Sequence, residues 1–262
     1  MIPFKELRAS LQTPRKTADA WYGKWVIRRI SIYITWLFAR LGFGPNQTTF
    51  LSLVCALIGI FNFTQGNFAI GVLGINLWYL LDHVDGEIAR LRNDTSLAGT
   101  FFDTVINFLI QPFTFLGLCV GLGPQTGWEA LYWGMIAALG SLMLLAIPMT
   151  EEAVLFNESI KRKVTYQKNG HRNSSKAKDR DFFRRGYGLI HTLVTYPCVL
   201  LIMTTGYLVF LILTNNSLHQ AIFLYRLLIV YACVVTFIWV SQLFYKVYFR
   251  TLDRYWKPIS GA

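Results

Sequence analysis

The sequence predicts an all-α integral membrane protein, with six transmembrane helices preceded by an amphipathic interfacial helix. Three observations predict it. Hydrophobic residues make up 54% of the 262-residue chain and charged residues only 15%, where an average soluble domain carries about 25% charged. The apolar residues fall in runs long enough to span about 30 Å of hydrocarbon, which needs roughly 20 residues of helix. The charges collect at one side of those runs. This composition excludes a disordered chain and argues against an ordinary soluble enzyme. Four cysteines are too few for a secreted disulfide scaffold, and a membrane β-barrel would show short alternating segments instead.

Taken in order, residues 1–44 form a cytoplasmic N-terminal segment. Within it Ala18–Leu41 reads as a helix. Trp21, Trp25, Ile30, Tyr33 and Leu37 supply an apolar side, and Lys24, Arg28, Arg29 and Arg40 supply charge. Such a helix lies in the membrane surface rather than crossing it. Residues 45–262 form the transmembrane domain, with spans at about 47–65, 67–91, 97–121, 128–154, 188–214 and 219–249. The connections are short, except for a basic loop over about 155–187. Cys55, Cys119, Cys198 and Cys233 fall inside spans and are read as packing, since no metal-ligand spacing links them.

The distribution of the 25 basic residues orients the chain. Eight precede the first span, Arg90 and Arg92 follow the second, ten lie between Lys161 and Arg185, and four lie from Lys246 onward. The intervening loops Asn62–Asn67, Gly121–Trp128 and Asn215–Gln220 hold none, and Arg226 is the remaining one. Lys and Arg mark cytoplasmic loops, so both termini and the long loop are expected in the cytoplasm. The net charge of +11 is then a topology signal and not a nucleic-acid footprint. No targeting segment is recognised, and a prokaryotic plasma (inner) membrane is the expected host.

The acidic residues are more informative. Carboxylates in a membrane helix are expensive and mark function by default. Asp82 and Asp85 share a face of the second span, three residues apart. Asp103 and Asn107, four apart, share a face of the third. A tight antiparallel turn brings the two faces together, so that three carboxylates converge at the cytoplasmic end. Their repulsion calls for a cation. Hard divalent ions with oxygen ligands answer it, and Mg²⁺ leaves positions open for phosphate oxygens. Gly86, Ala89 and Gly99 are small and permit close approach by a ligand or a neighbouring helix.

The run Asp82-x-x-Asp85-Gly86-x-x-Ala89-Arg90, eight residues, then Gly99-x-x-x-Asp103 resembles the signature of the CDP-alcohol phosphotransferases (CDP-alcohol phosphatidyltransferases), integral membrane enzymes of phospholipid synthesis. Pro45-Asn46-Gln47-Thr48-Thr49 at the start of the first span is similar too. The resemblance implies transfer of a substituted phosphate from a CDP-linked alcohol to an acceptor alcohol or lipid, with release of CMP. It implies two Mg²⁺ (or Mn²⁺) ions on Asp82, Asp85 and Asp103. It implies a nucleotide site at Gly86, Ala89 and Gly99, with Arg90 supporting the phosphates or the local fold and Asn46 and Thr49 as further nucleotide contacts. It also implies a homodimer. Lys161, Lys163, Arg184 and Arg185 of the basic loop are the candidates for holding an acidic headgroup or acceptor phosphate, against a plainer reading as attraction to anionic lipid.

One position departs. The fourth acid of the signature, the expected general base, is Asn107 here. An amide cannot accept the acceptor's proton, and a positioned base is worth about 10²–10⁴-fold. Three explanations stay open: a base-removed engineered variant, a natural member using another base (His83 and Glu87 are near in sequence), or a non-catalytic binding homologue. An intramembrane prenyltransferase would show a second Asp-rich motif on a distant helix, and a transporter would place its site at the midplane. Glu151 and Glu152, at the end of the fourth span, are expected to pair with the basic loop.

Overall fold

The computed structural model describes residues 26–162, 195–214 and 216–249, and among them every regular element is a helix. In chain order these are α1 (Arg28–Arg40), α2 (Pro45–Thr64), α3 (Phe68–Leu91), α4 (Leu97–Thr126), α5 (Ala130–Arg162), α6 (Tyr196–Thr214) and α7 (Ser217–Tyr248). Five of them, α2, α4, α5, α6 and α7, are long and apolar enough to cross a membrane. The sequence suggests six. The difference is α3, whose last turns carry Asp82, His83, Asp85 and Glu87, so its average hydropathy drops while its interior stays buried from Gly71 to Ile88. Ionisable residues are rare in membrane helices and almost always face a bundle interior or a water-filled cavity.

The helix α1 shows two faces. Ile27, just before it, and Ser31, Ile32 and Thr35 are buried, following the 3.6-residue period of one stripe. Ile30, Tyr33 and Leu37, the apolar side expected from the sequence, are exposed. The protein is thus met by a stripe that sets the hydroxyls of Ser31 and Thr35 among Ile27 and Ile32, and a second, apolar stripe points away. Trp21, Trp25 and Lys24 lie outside the described residues.

Helix α2 starts at Pro45, whose missing N–H is harmless in a first turn, and Gln47 Oε1 accepts the Gly44 N–H at 2.9 Å. Two glycines set its crossing with α3. A Cβ on Gly74 would stand 2.6 Å from Gly59 Cα, and one on Gly59 would stand 3.0 Å from the Ile75 nitrogen. No larger residue lets the backbones approach this closely.

The turn from α3 to α4 positions everything that follows. Asn93 adopts φ +53°, a left-handed conformation that Asn tolerates better than most residues. Asp94 N–H then bonds to Ala89 O at 2.9 Å and Asn93 N–H to Arg90 O at 3.3 Å, the paired bonds of a Schellman stop. Ser96 caps the next helix by accepting the Gly99 N–H at 3.0 Å. Two opposed helix ends are therefore joined by five residues.

The core is aromatic between α3, α4, α6 and α7: Trp78 and Phe115 meet Tyr196 edge-on, and Phe115 stacks on Tyr231 at 4.6 Å. Two expectations need correction, and a third falls partly outside the described residues. Helix α5 runs past residue 154 to Arg162, so Lys161 sits on a helix instead of in a loop. Glu151 pairs with Lys246 of α7, and the basic loop, expected as its partner, lies beyond residue 162 outside the described residues. Cys233 is exposed on the helix surface, unlike the buried Cys119 and Cys198.

Candidate functional site

The site is built at the joined ends of α3 and α4, with α2 beside them. Asp82 and Asp85 come from α3, Asp103 and Asn107 from α4. The antiparallel turn does bring the two faces together: Asn107 Nδ2 lies 3.4 Å from Asp82 Oδ1, across the helix pair. The same nitrogen lies 3.2 Å from Asp103 Oδ1 and 3.1 Å from the Asp103 carbonyl. Two amide protons thus serve three oxygens on two acids. Asn107 Oδ1 faces away, accepting from Gln111 Nε2 at 3.4 Å. Asp82 also lies within the electrostatic reach of both Asp103 and Asp85.

Asp85 is the most enclosed of the three, 8% exposed. Its Oδ2 accepts the Thr49 hydroxyl at 2.6 Å, a short charge-assisted contact from α2. Thr49 was expected near the nucleotide; here its hydroxyl is turned to the carboxylate. Gly86 leaves room beside Asp85, filled only by the Arg90 guanidinium, whose Nη1 would stand 3.3 Å from a Cβ at that position. Arg90 is exposed and Ala89 half-buried. Gly99 lies in the first turn of α4, its N–H held by the Ser96 hydroxyl. Asn46 is exposed and lines an open groove of about 590 Å³ with Leu41, Phe43, Phe50 and Leu51. Lys161 is exposed, and Lys163, Arg184 and Arg185 lie outside the described residues.

Of the two nearby residues considered as substitutes for a missing base, Glu87 is committed elsewhere. It is 3% exposed and accepts the hydroxyls of Ser31 at 2.9 Å and Thr35 at 2.6 Å. His83 Nδ1 meets the Tyr79 carbonyl at 3.0 Å and its ring packs edge-on against Tyr79. The Ser31–Thr35–Glu87 contact escapes sequence reading, because nothing in the chain order pairs α1 with the end of α3.

Among the described residues, no three His, Cys, Asp or Glu side chains converge as they stand on a point that would hold a cation. The donor set nevertheless suits one. Asp82, Asp85 and Asp103 bring hard carboxylate oxygens together with fewer N–H and O–H donors than acceptor sites, which is the situation a hard divalent ion relieves.

A sequence model described as CDP-alcohol phosphatidyltransferase matches residues 43–249. Two relatives align over part of the chain. One is a bifunctional IPC transferase and DIPP synthase of Aquifex aeolicus, 33% identical over 105 residues, which are 39% of this chain and 23% of that protein. The other is an archaetidylinositol phosphate synthase of Pyrococcus horikoshii, 27% identical over 106 residues, 40% of this chain and 54% of that protein. The alignments thus span about a quarter of the first and about half of the second. The fold is similar to a Mycobacterium tuberculosis phosphatidylinositol phosphate synthase solved with CDP-DAG bound, with a TM-score of 0.58 and 17% identity, covering 88% of this chain and 96% of that one.

Proposed function

The chain belongs to the CDP-alcohol phosphatidyltransferase family, and we propose that it acts as a membrane phosphotransferase which moves a substituted phosphate from a CDP-linked alcohol to an acceptor alcohol and releases CMP. Enzymes of this family are CDP-alcohol phosphotransferases of phospholipid synthesis and generally use divalent metal ions. The observation that carries the reading for this chain is the meeting of Asp82, Asp103 and residue 107 across the α3–α4 turn, with Asp85 held beside them by Thr49.

In this reading Asp82, Asp85 and Asp103 hold Mg²⁺ or Mn²⁺, two ions in all. The bound cations supply charge stabilisation to the transferring phosphate and to the departing CMP. The chain's own residues do the rest. Thr49 fixes the Asp85 carboxylate, so the ligand does not have to be ordered when substrate arrives. Gly86 and Ala89 leave α3 open for a nucleotide, and Arg90 stands over Gly86 where phosphate charge would develop. Asn46 and Gly99 are secondary contacts, and Lys161 is the described candidate for an acidic headgroup.

The membrane arrangement follows the charge pattern. Helix α3 is the sixth span, its acids at the cytoplasmic end. Helix α1 lies in the interface, its exposed Ile30, Tyr33 and Leu37 in contact with lipid. Residues 1–44 and the stretch of about 155–187 are cytoplasmic, both termini included, and the membrane is a prokaryotic plasma membrane. A CDP-linked alcohol then reaches the site from the water and a lipid from the side. The assembly is a homodimer.

Asn107 favours a second reading, a binding homologue with little turnover. Its amide donates to two of the acids and takes up no proton, and Glu87 is already occupied by Ser31 and Thr35. The two readings separate in one assay: CMP release from a panel of CDP-alcohols and acceptor alcohols, with Asn107 and with Asn107→Asp. Release by the unaltered chain supports the enzyme. Release only by Asn107→Asp supports the binding homologue. No release by either contradicts the transferase reading altogether.

A further inference from the structure

Glu87 has no part in the chemistry set out above, yet it is among the most deeply buried charged groups of the described chain, 3% exposed. A buried carboxylate without partners is strongly unfavourable, and here both oxygens are answered by one neighbouring helix. Oε1 accepts the Ser31 hydroxyl at 2.9 Å and Oε2 the Thr35 hydroxyl at 2.6 Å. Ser31 and Thr35 are four apart on α1, so they share a face, and each is 0% exposed. Ile27 and Ile32 flank them and are buried too. The contact joins chain positions more than fifty residues apart.

Glu87 also follows Asp85 by two residues and precedes Arg90 by three. The charges of Arg28 and Arg90 both act on it, and Arg90 acts on Asp85 as well. Arg90 stands over Gly86, the residue between Asp85 and Glu87 in the chain. Glu87 therefore holds α1 by two hydrogen bonds and lies in the turn of α3 that also carries Asp85, Gly86 and Arg90.

We propose that Glu87 is a positioning residue, which locks α1 onto α3 through Ser31 and Thr35 and so sets the turn of α3 that carries Asp85, Gly86 and Arg90. The locking stands on geometry alone; its consequence for turnover rests on the transferase reading above. Displacement of a positioned phosphate-binding group by about 1 Å lowers turnover by about 10²-fold, which sets the scale of the effect.

The test uses the full chain in detergent or proteoliposomes. Three variants form a cycle: Glu87→Ala, the double change Ser31→Ala with Thr35→Val, and all three together. Hydrogen exchange is followed in α1 and, as an internal reference, in α6 and α7. The expected result is faster exchange over 28–40 in every variant, unchanged exchange in α6 and α7, and a triple variant no worse than the others, since partners in one contact are not additive. Where the chain turns over, kcat falls about 10–100-fold with little change in the KM of the acceptor. Glu87→Gln restores much of it, because an amide still accepts one hydroxyl and donates to the other. Exchange over 28–40 unchanged in Glu87→Ala, losses that add in the triple variant, or loosening of α6 and α7 alike would overturn the proposal. If no CDP-alcohol is turned over by any form, the transferase reading falls, while the exchange cycle still decides the lock.

Discussion

Two carboxylate regions share the last turns of α3 and are solved differently. At Glu87 acceptors and donors balance: two oxygens, two hydroxyls, both buried. At Asp82, Asp85 and Asp103 they do not. Asp82 and Asp103 share the single amide nitrogen of Asn107, and Asp85 accepts the Thr49 hydroxyl with the Gly86 N–H and the Arg90 charge beside it. The first region is complete as a piece of folded protein. In the proposed reading the second is completed by a divalent cation, since unpaired charge in a low-dielectric site is costly. The balance of donors to acceptors distinguishes an acid that holds the fold from acids that await a ligand.

The largest effect should come from changing that balance at residue 107. Asn107→Asp removes the shared amide donor and adds a fourth carboxylate. CMP release should rise by about 10²–10⁴-fold, the worth of a positioned base, measured with saturating Mg²⁺. Without divalent cation the same variant should melt at lower temperature than the unaltered chain, by a loss of about 1.5–3 kcal/mol for hydrogen bonds to charged groups, and Mg²⁺ should restore it. If the melting temperature did not respond to Mg²⁺, the cluster would not be the unbalanced region it is taken for.

Asp103→Asn comes next. It should weaken Mg²⁺ binding by at least about 10²-fold, since even residues that only support metal ligands cost 10–100-fold; calorimetric titration with the metal alone reads it. Thr49→Val should be milder, about 10–100-fold in metal affinity, because Asp85 remains but loses its fixed orientation. The smallest effect belongs to a contact outside both regions. Lys246→Ala breaks the pair with Glu151, which is partly exposed, and should lower stability by no more than about 1 kcal/mol, read by thermal melting.

Much of this was legible in the sequence. The i,i+3 and i,i+4 spacings of Asp82, Asp85, Asp103 and Asn107 define helix faces, and a five-residue connection leaves two helices little choice but to run antiparallel. Local rules were sufficient there. They were insufficient where helices distant in the chain meet. Thr49 turned to Asp85 and Ser31 with Thr35 turned to Glu87 depend on how α1 and α2 dock. That docking is set by the close approach at Gly59 and Gly74 and by the buried stripe of α1, whose polar Ser31 and Thr35 an apolar periodicity does not mark. The apolar stripe of α1 was visible, but it marks the side facing away from the protein. The length of α5 was missed because its apolar period fades at residue 154 while helix-compatible polar residues continue to Arg162.

The central claim is that the ends of α3 and α4 form a cation-dependent site for a CDP-linked alcohol. Calorimetric titration of the full chain with CDP, with and without Mg²⁺, tests it most directly, alongside the Asp103→Asn variant. Binding with Mg²⁺, loss of that binding on chelation, and loss in Asp103→Asn are expected. CDP binding that is indifferent to Mg²⁺ and survives Asp103→Asn would contradict it.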